Sequence, residues 1–174
     1  MEFNVLVKTR LFPILQKYGF EIAEEFKNIL QFQSSVIVIN IVFNNYEKSC
    51  YISMGKKEDT LLPLNDNAVK ELFNSSLSVE QVTPEIFVQN LSTLFETKKG
   101  AEILKGNIAP FIKFKLSEIN DYNTELLKKQ ALEAASKAWE ANDYVGFVEN
   151  IDKVGVSKIP QSYQLKYKIA KQKL

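Results

Sequence analysis

The chain has 174 residues, enough for one ordinary domain or two small ones. It carries 22 basic and 21 acidic residues, and this balance argues against a dedicated nucleic-acid binder, which usually has a clear basic excess. It has no histidine and one cysteine, Cys50. This composition excludes histidine bases, histidine–nucleophile pairs, an internal disulfide and a cysteine zinc cluster.

We expect no targeting signal in the N-terminal segment. Glu2 comes before the apolar residues, and Lys8 and Arg10 interrupt them, whereas a signal peptide has a basic start and a run of about 7–15 apolar residues. The most apolar segment, 36–43, is much shorter than the ~20 residues of a membrane-spanning helix. We therefore expect a protein that does not enter the membrane and lies in the cytoplasm. An unpaired thiol is normal in that compartment.

The first 60 residues predict a helix followed by an antiparallel meander. Helical spacing predicts a helix over 4–18 that stops at Gly19, although Pro13 disfavours it unless the helix starts near Arg10. Apolar patterns predict strands over residues 20–26, 29–33, 35–43 and 48–54. The segment 35–43 is apolar on both faces, which favours a central position in the sheet.

After a polar loop over 55–65, the pattern is helical and predicts no further strand. Helices are predicted over residues 66–75, 84–100, 101–105, 107–119, 124–141, 144–153 and 160–171. The sequence Asn120-Asp121-Tyr122-Asn123 predicts a break between two of them. We predict an α+β fold, with an N-terminal helix plus small antiparallel β-meander over 1–60 and a helical subregion over 61–174, as one compact unit.

The last three helices resemble one tetratricopeptide-type helix pair with a following helix, over about residues 128–172. The resemblance lies in the small residues Ala135 and Ala138 beside Trp139, a short polar turn with an aromatic at 142–144, and the closing Pro160. Such an array usually needs about three repeats to be stable alone. We therefore expect these helices to pack on the rest of the protein as a layer.

No arrangement of catalytic residues is evident. Gly55-Lys56-Lys57 lacks the first glycine and the Ser/Thr of a phosphate-binding loop, and no serine has nucleophile-elbow spacing. Glu24 and Glu25 point to opposite faces of a strand, and Glu133 and Glu140 lie on a solvated helix face, so neither pair converges in a cleft. We therefore expect no enzyme activity, no metal and no cofactor.

Two single residues leave alternatives open. Cys50 is either a small buried hydrophobe or a reactive thiol, for which Lys48 on the same strand face offers weak support. Asn40 is polar within an apolar strand, so it either lines a pocket or lies at a sheet end or against backbone.

The C-terminal segment 155–174 has five lysines and no acid, with Tyr163 and Tyr167 one helical turn apart. This pattern is typical of a face that binds nucleic acid or an acidic protein, but also of helix-end lysines beside core tyrosines. Trp139 is either an interface anchor or a core side chain. The candidate partner-binding residues are Trp139, Tyr144, Tyr163, Lys166 and Tyr167.

A family resemblance adds to these patterns. It lies in Leu11-Phe12-Pro13-Ile14-Leu15, Tyr18-Gly19-Phe20, the meander from Ile29 to Met54, Ala138-Trp139, Asp143-Tyr144 and Leu165-Lys166-Tyr167. These segments look like small bacterial cytosolic proteins, some of which are similar to immunity proteins of contact-dependent or polymorphic toxin systems. The resemblance implies a protein that binds a toxin domain, blocks its active site and needs no catalytic residue. The alternative is an adaptor or regulator that binds nucleic acid through the basic C-terminal helix.

Overall fold

The computed structural model describes residues 2–174 and has the α+β fold predicted from the sequence. The chain divides into two compact units, Met1–Leu116 (unit 1) and Ser117–Leu174 (unit 2). Unit 1 contains the whole sheet and also the helices between residues 66 and 104, which the sequence prediction assigned to the helical subregion.

Unit 1 begins with two short helices where the sequence predicts one over 4–18. The elements of unit 1 are α1 (Phe3–Arg10), α2 (Phe12–Gln16), β1 (Glu21–Phe26), β2 (Ile29–Gln33), β3 (Ile37–Asn44), β4 (Ser49–Lys56), β5 (Leu62–Pro63), α3 (Asp66–Phe73), α4 (Pro84–Glu96) and α5 (Lys98–Leu104). Pro13 lies in the first turn of α2, where its missing N–H has no helical partner to lose. The single predicted helix is therefore wrong, and Pro13 accounts for the division.

The five strands form one antiparallel sheet in the order β1-β2-β3-β4-β5. β3 is central, as its apolar character on both faces predicts. The two-residue strand β5 pairs with Ser53 and Met54 and was not predicted. Two residues are too few to show an alternating pattern, so the sequence carries no signal for this strand.

The helices of unit 1 pack on one face of the sheet. Phe3 of α1 lies 5.5 Å from Phe43, and Phe12 of α2 lies 5.5 Å from Phe32, between ring centroids. Strand side chains buried on this face are Leu30, Phe32, Ile37, Ile39, Ile41, Cys50, Ile52 and Met54. On the opposite face Gln31, Asn40 and Ser53 lie side by side in register and are half-buried.

The sequence predicts that Gly100 ends the helix that begins at Pro84. This prediction is wrong, because Gly100 lies inside α5. A Cβ at this position would lie 2.2 Å from the carbonyl oxygen of Leu94 in α4, so only glycine permits this close approach. α4 ends instead at Glu96, and the Thr97 side chain accepts a hydrogen bond from the Gly100 N–H to begin α5.

Helix α6 runs without interruption from Ala109 to Glu140. The predicted break at 120–123 is therefore wrong. Asparagine, aspartate and tyrosine each cost only about 0.5–0.7 kcal/mol in a helix, which is less than the cost of nucleating a second helix. The Thr124 hydroxyl also donates a hydrogen bond to the Asn120 carbonyl within the helix.

Unit 2 consists of the rest of α6, α7 (Tyr144–Val154), a 3₁₀ turn (Val156–Lys158) and α8 (Gln161–Lys173). Asp143 caps α7 by accepting a hydrogen bond from the Gly146 N–H, and Gly155 ends α7 with φ +91°. The predicted helices over 144–153 and 160–171 are confirmed. Buried side chains of this unit are Ala135, Phe147, Val148, Ile151, Ile159 and Ala170.

Candidate partner-binding site

Three helices of unit 2 meet at a group of aromatic rings. Trp139 lies in the last turn of α6, Tyr144 and Phe147 lie in the first turn of α7, and Tyr163 lies in the first turn of α8. The Trp139 ring centroid is 5.7 Å from that of Tyr144 and 5.2 Å from that of Phe147, and Phe147 stacks on Tyr163 at 6.4 Å. We call these four residues the aromatic cluster.

Lysines of α8 lie over the rings of this cluster. The Lys166 amine is 5.3 Å from the Trp139 centroid and 5.7 Å from the Tyr163 centroid. The Lys173 amine is 4.6 Å from the Tyr144 centroid and donates a hydrogen bond of 2.9 Å to its hydroxyl. Each such contact stabilises by about 0.5–1 kcal/mol when exposed and more when desolvated. These lysines therefore help to hold α8 against α6 and α7.

Tyr167 joins α8 to α7 beside the cluster. Its hydroxyl donates a hydrogen bond of 2.7 Å to Asp152, and this bond raises the pKa of Tyr167 because it favours the protonated phenol. The Lys171 amine lies 5.5 Å from the Tyr167 ring centroid. The five candidate residues are thus brought together in unit 2, and each contacts other side chains of that unit. Their contact with a partner stays a prediction.

A pocket of about 740 Å³ lies on another part of unit 2, between α6 and the end of α7. We call it the basic pocket, and it is lined by Thr124, Glu125, Leu127, Lys128, Ala131, Lys153, Val154 and Lys158. Three of these side chains are lysines and one is a carboxylate. Sequence reasoning missed this site, because the lysines belong to three different elements and share no local pattern.

The middle of α6 exposes an unusual number of apolar side chains. All residues from Ile119 to Leu127 are exposed, with Tyr122 at 68% and Leu127 at 65%. Ile119, Tyr122 and Leu126 follow one another at helical spacing and therefore share one face of the helix. We call these three residues the α6 stripe. Contiguous exposed apolar groups commonly mark an interaction surface.

Asn40 lines a smaller pocket of about 290 Å³ in unit 1. The Oδ1 atom of the Asn40 side chain is shielded from solvent and accepts no hydrogen bond within the part of the chain that the structure describes. Of the two predicted alternatives, the structure places Asn40 at a pocket, in the central strand and in register with Ser53.

Cys50 is buried in the core of unit 1 and is 6% exposed. Burial, with a smaller contribution from the Glu85 charge, raises the pKa of its thiol to about 11. A reactive cysteine has a lowered pKa and an accessible sulfur. Of the two predicted alternatives, the structure therefore favours Cys50 as a small buried hydrophobic residue over a reactive thiol.

The four glutamates considered in the sequence lie at the surface of the structure. Glu24, Glu133 and Glu140 are exposed, and the exposed Glu25 forms an ion pair of 2.8 Å with Lys8. Lys8 lowers the pKa of Glu25, first through the hydrogen bond and then through its charge. Within residues 2–174, no three cysteine, aspartate or glutamate side chains come together as a metal site would require.

None of the helices between residues 2 and 174 combines the length and the apolar character needed to cross a lipid bilayer. Comparisons of the chain with protein-family models, with curated proteins and with solved structures found no match. The resemblance to immunity proteins therefore stays a prediction from the sequence.

Proposed function

We propose that this protein acts by binding another protein, without catalysing a reaction. Following the resemblance stated from the sequence, the partner is a bacterial toxin domain that is neutralised when this protein covers it. A cytoplasmic location belongs to the same proposal, since an immunity protein of this kind meets its toxin inside the cell.

The observation that carries the proposal is the α6 stripe of Ile119, Tyr122 and Leu126 in unit 2. These side chains are 43%, 68% and 40% exposed, respectively. Fully burying an exposed apolar side chain of this size contributes about 1.5–3 kcal/mol. Because about half of each side chain is still exposed, a partner surface that covers the stripe gains roughly 2–5 kcal/mol. Tyrosine is also enriched among hot-spot residues, which contribute most of the binding energy of an interface.

The alternative, nucleic-acid binding through α8, is less well supported. Binding of single strands commonly uses aromatic rings as platforms on which bases stack. In unit 2 the Tyr163 ring stacks on Phe147 and is covered by Lys166, while Lys171 lies over Tyr167. These rings would have to lose their present contacts before a base could stack on them.

The proposal is tested by toxicity and rescue. The product of the gene directly upstream is expressed in a host cell alone and together with this protein, and the two are purified as a complex. We expect growth arrest without this protein, normal growth with it, and co-elution of both chains. A harmless upstream product together with no complex would remove the support for the immunity function.

Two variants connect this test to the surface. Tyr122→Glu places a charge in the α6 stripe, and we expect it to abolish rescue and weaken the complex by at least about tenfold. Val145→Glu is the matched control, because Val145 is 53% exposed on α7 of the same unit and outside the stripe. Equal loss in both variants would show that the stripe is not the contact surface.

A further inference from the structure

The basic pocket combines charge and apolar surface in one concavity. Lys128 comes from α6, Lys153 from the last turn of α7, and Lys158 from the 3₁₀ turn that follows. Leu127, Ala131 and Val154 contribute the apolar part of the lining. A volume of about 740 Å³ is within the range of sites that enclose one or two side chains or a small ligand.

Among residues 2–174, no carboxylate forms an ion pair with Lys128, Lys153 or Lys158. Lys8 and Lys99 of unit 1, in contrast, pair with Glu25 and Glu102. The Lys153 amine donates a hydrogen bond of 3.1 Å to the Asn150 side chain, which is neutral. The pocket therefore presents positive charge that no acid in the described part of the chain neutralises by an ion pair.

The net charge of the lining remains positive after the negative charge of Glu125 and of the α7 carbonyl end is subtracted. Three lysines and Glu125 give +2. The carbonyl end of α7, where Lys153 and Val154 lie, contributes about half a negative charge. About one and a half positive charges remain, beside a Leu127 side chain that is 65% exposed.

We infer that the basic pocket docks an acidic segment of the partner protein. One or two carboxylates of that segment lie against Lys128, Lys153 and Lys158, and an apolar side chain next to them packs on Leu127 and Val154. Recognition of acidic motifs by clustered basic side chains is a recurring mode of peptide binding. The inference rests on the proposed function in one respect, that the ligand is a protein.

The charge and the lining together favour this ligand over nucleic acid. A phosphate backbone needs a continuous basic track, whereas here three lysines and the apolar Leu127, Ala131 and Val154 line one pocket. A segment with glutamate or aspartate beside leucine satisfies both parts of the lining at once.

The test uses the full-length protein and a fluorescein-labelled, C-terminally amidated peptide of repeated Glu-Glu-Leu, with binding followed by fluorescence anisotropy at low salt. We expect saturable binding that Lys128→Glu weakens by at least about tenfold. Lys129→Glu is the matched control, since it makes the same charge change at the next residue of α6, outside the pocket. We expect it to change the affinity by no more than about twofold to threefold, through the distant charge alone.

A second variant avoids the ambiguity of misfolding. Glu125→Gln removes the one acid of the pocket, so we expect it to bind the Glu-Glu-Leu peptide about twofold to fivefold more tightly. A misfolded protein cannot bind more tightly. A peptide of repeated Ser-Ser-Leu tests the need for charge, and polyglutamate tests the need for the apolar side chain; we expect both to bind at least about tenfold more weakly.

Three results would overturn the inference: no binding of the Glu-Glu-Leu peptide, equal loss in Lys128→Glu and Lys129→Glu, or equal binding of the Ser-Ser-Leu peptide or polyglutamate. Tighter binding of a single-stranded oligonucleotide, lost in Lys128→Glu, would also overturn it by assigning the pocket to nucleic acid. These outcomes are distinct from failure of the proposed function. Rescue by the Lys128→Glu protein at wild-type level would refute the pocket's role and leave the immunity function intact. Binding of the Glu-Glu-Leu peptide without any rescue by the wild-type protein would refute the immunity function and leave the pocket's ligand intact.

Discussion

Replacing Phe147 by alanine tests whether unit 2 is held together by the aromatic cluster. The Phe147 ring is fully buried between Trp139 and Tyr163, so its removal leaves a cavity where three helices meet. A Phe→Ala change in a core costs about 3–5 kcal/mol. At roughly 0.05–0.15 kcal/mol per residue, Ser117–Leu174 has a stability of about 3–9 kcal/mol. We therefore expect Phe147→Ala to remove a third or more of the stability of this unit.

The chain offers a separate probe for each unit. Trp139 is the only tryptophan and lies in unit 2, so its fluorescence reports the unfolding of that unit. Cys50 is the only cysteine and is buried in unit 1, so its reaction with a thiol reagent reports the unfolding of unit 1. With a slope of about 1 kcal/mol per molar urea, we expect the Trp139 midpoint to fall by about 3–5 M, or the unit to be unfolded without urea. We expect the Cys50 transition to change by less than about 0.5 kcal/mol.

The control is Leu165→Ala, because Leu165 is 62% exposed on α8 and its removal leaves no cavity. We expect it to shift the Trp139 transition by no more than about 0.5 kcal/mol. A loss below about 1 kcal/mol in Phe147→Ala would show that the cluster is not a core. Equal shifts of the Trp139 and Cys50 signals would show instead that the two units unfold as one.

Three further predictions concern other parts of the chain. Gly100→Ala drives a Cβ against the Leu94 carbonyl oxygen, so we expect unit 1 to lose about 3 kcal/mol, measured by the Cys50 transition. Because the pKa of Cys50 is about 11, the folded thiol should react with iodoacetamide at pH 8 about a hundredfold more slowly than the unfolded thiol. Since the unfolded thiol ionises at lower pH than the folded thiol, the free energy of unfolding should decrease as the pH rises between about 9.0 and about 11. Asn120→Ala and Asn123→Ala replace weak helix formers in the exposed middle of α6, so each should stabilise that segment by about 0.5 kcal/mol, measured as slower amide hydrogen exchange.

The elements that depend on local pattern could be predicted from the sequence. The apolar alternation of β2 and β4, the two-faced apolar character of β3 and the Thr83-Pro84-Glu85 start of α4 each carry their own signal. The errors arise where tertiary context outweighs propensity. Gly100 marks a close helix approach and not a helix end, and α6 continues through residues that individually disfavour helix.

The candidate site could be predicted in part. Trp139 and Tyr144 face each other across a short turn between consecutive helices, so their proximity follows from sequence spacing. The contact of Lys173 with Tyr144 joins residues 29 positions apart, and no local pattern indicates it. The basic pocket was missed for the same reason, because Lys128 and Lys158 meet only when α6 and the 3₁₀ turn are packed.

Five lysines of unit 2 fall into two sets that charge counting cannot separate. Lys166, Lys171 and Lys173 each lie over an aromatic ring of their own unit, so their charge already has a favourable contact. Lys128 and Lys158 line the basic pocket and form no ion pair with a carboxylate of residues 2–174, Glu125 of the same lining included. An acidic partner gains more from the second set, because binding there does not require an existing contact to be broken. This difference in what each amine already contacts, and not the count of five lysines in the C-terminal segment, is why we assign the acidic segment to the basic pocket.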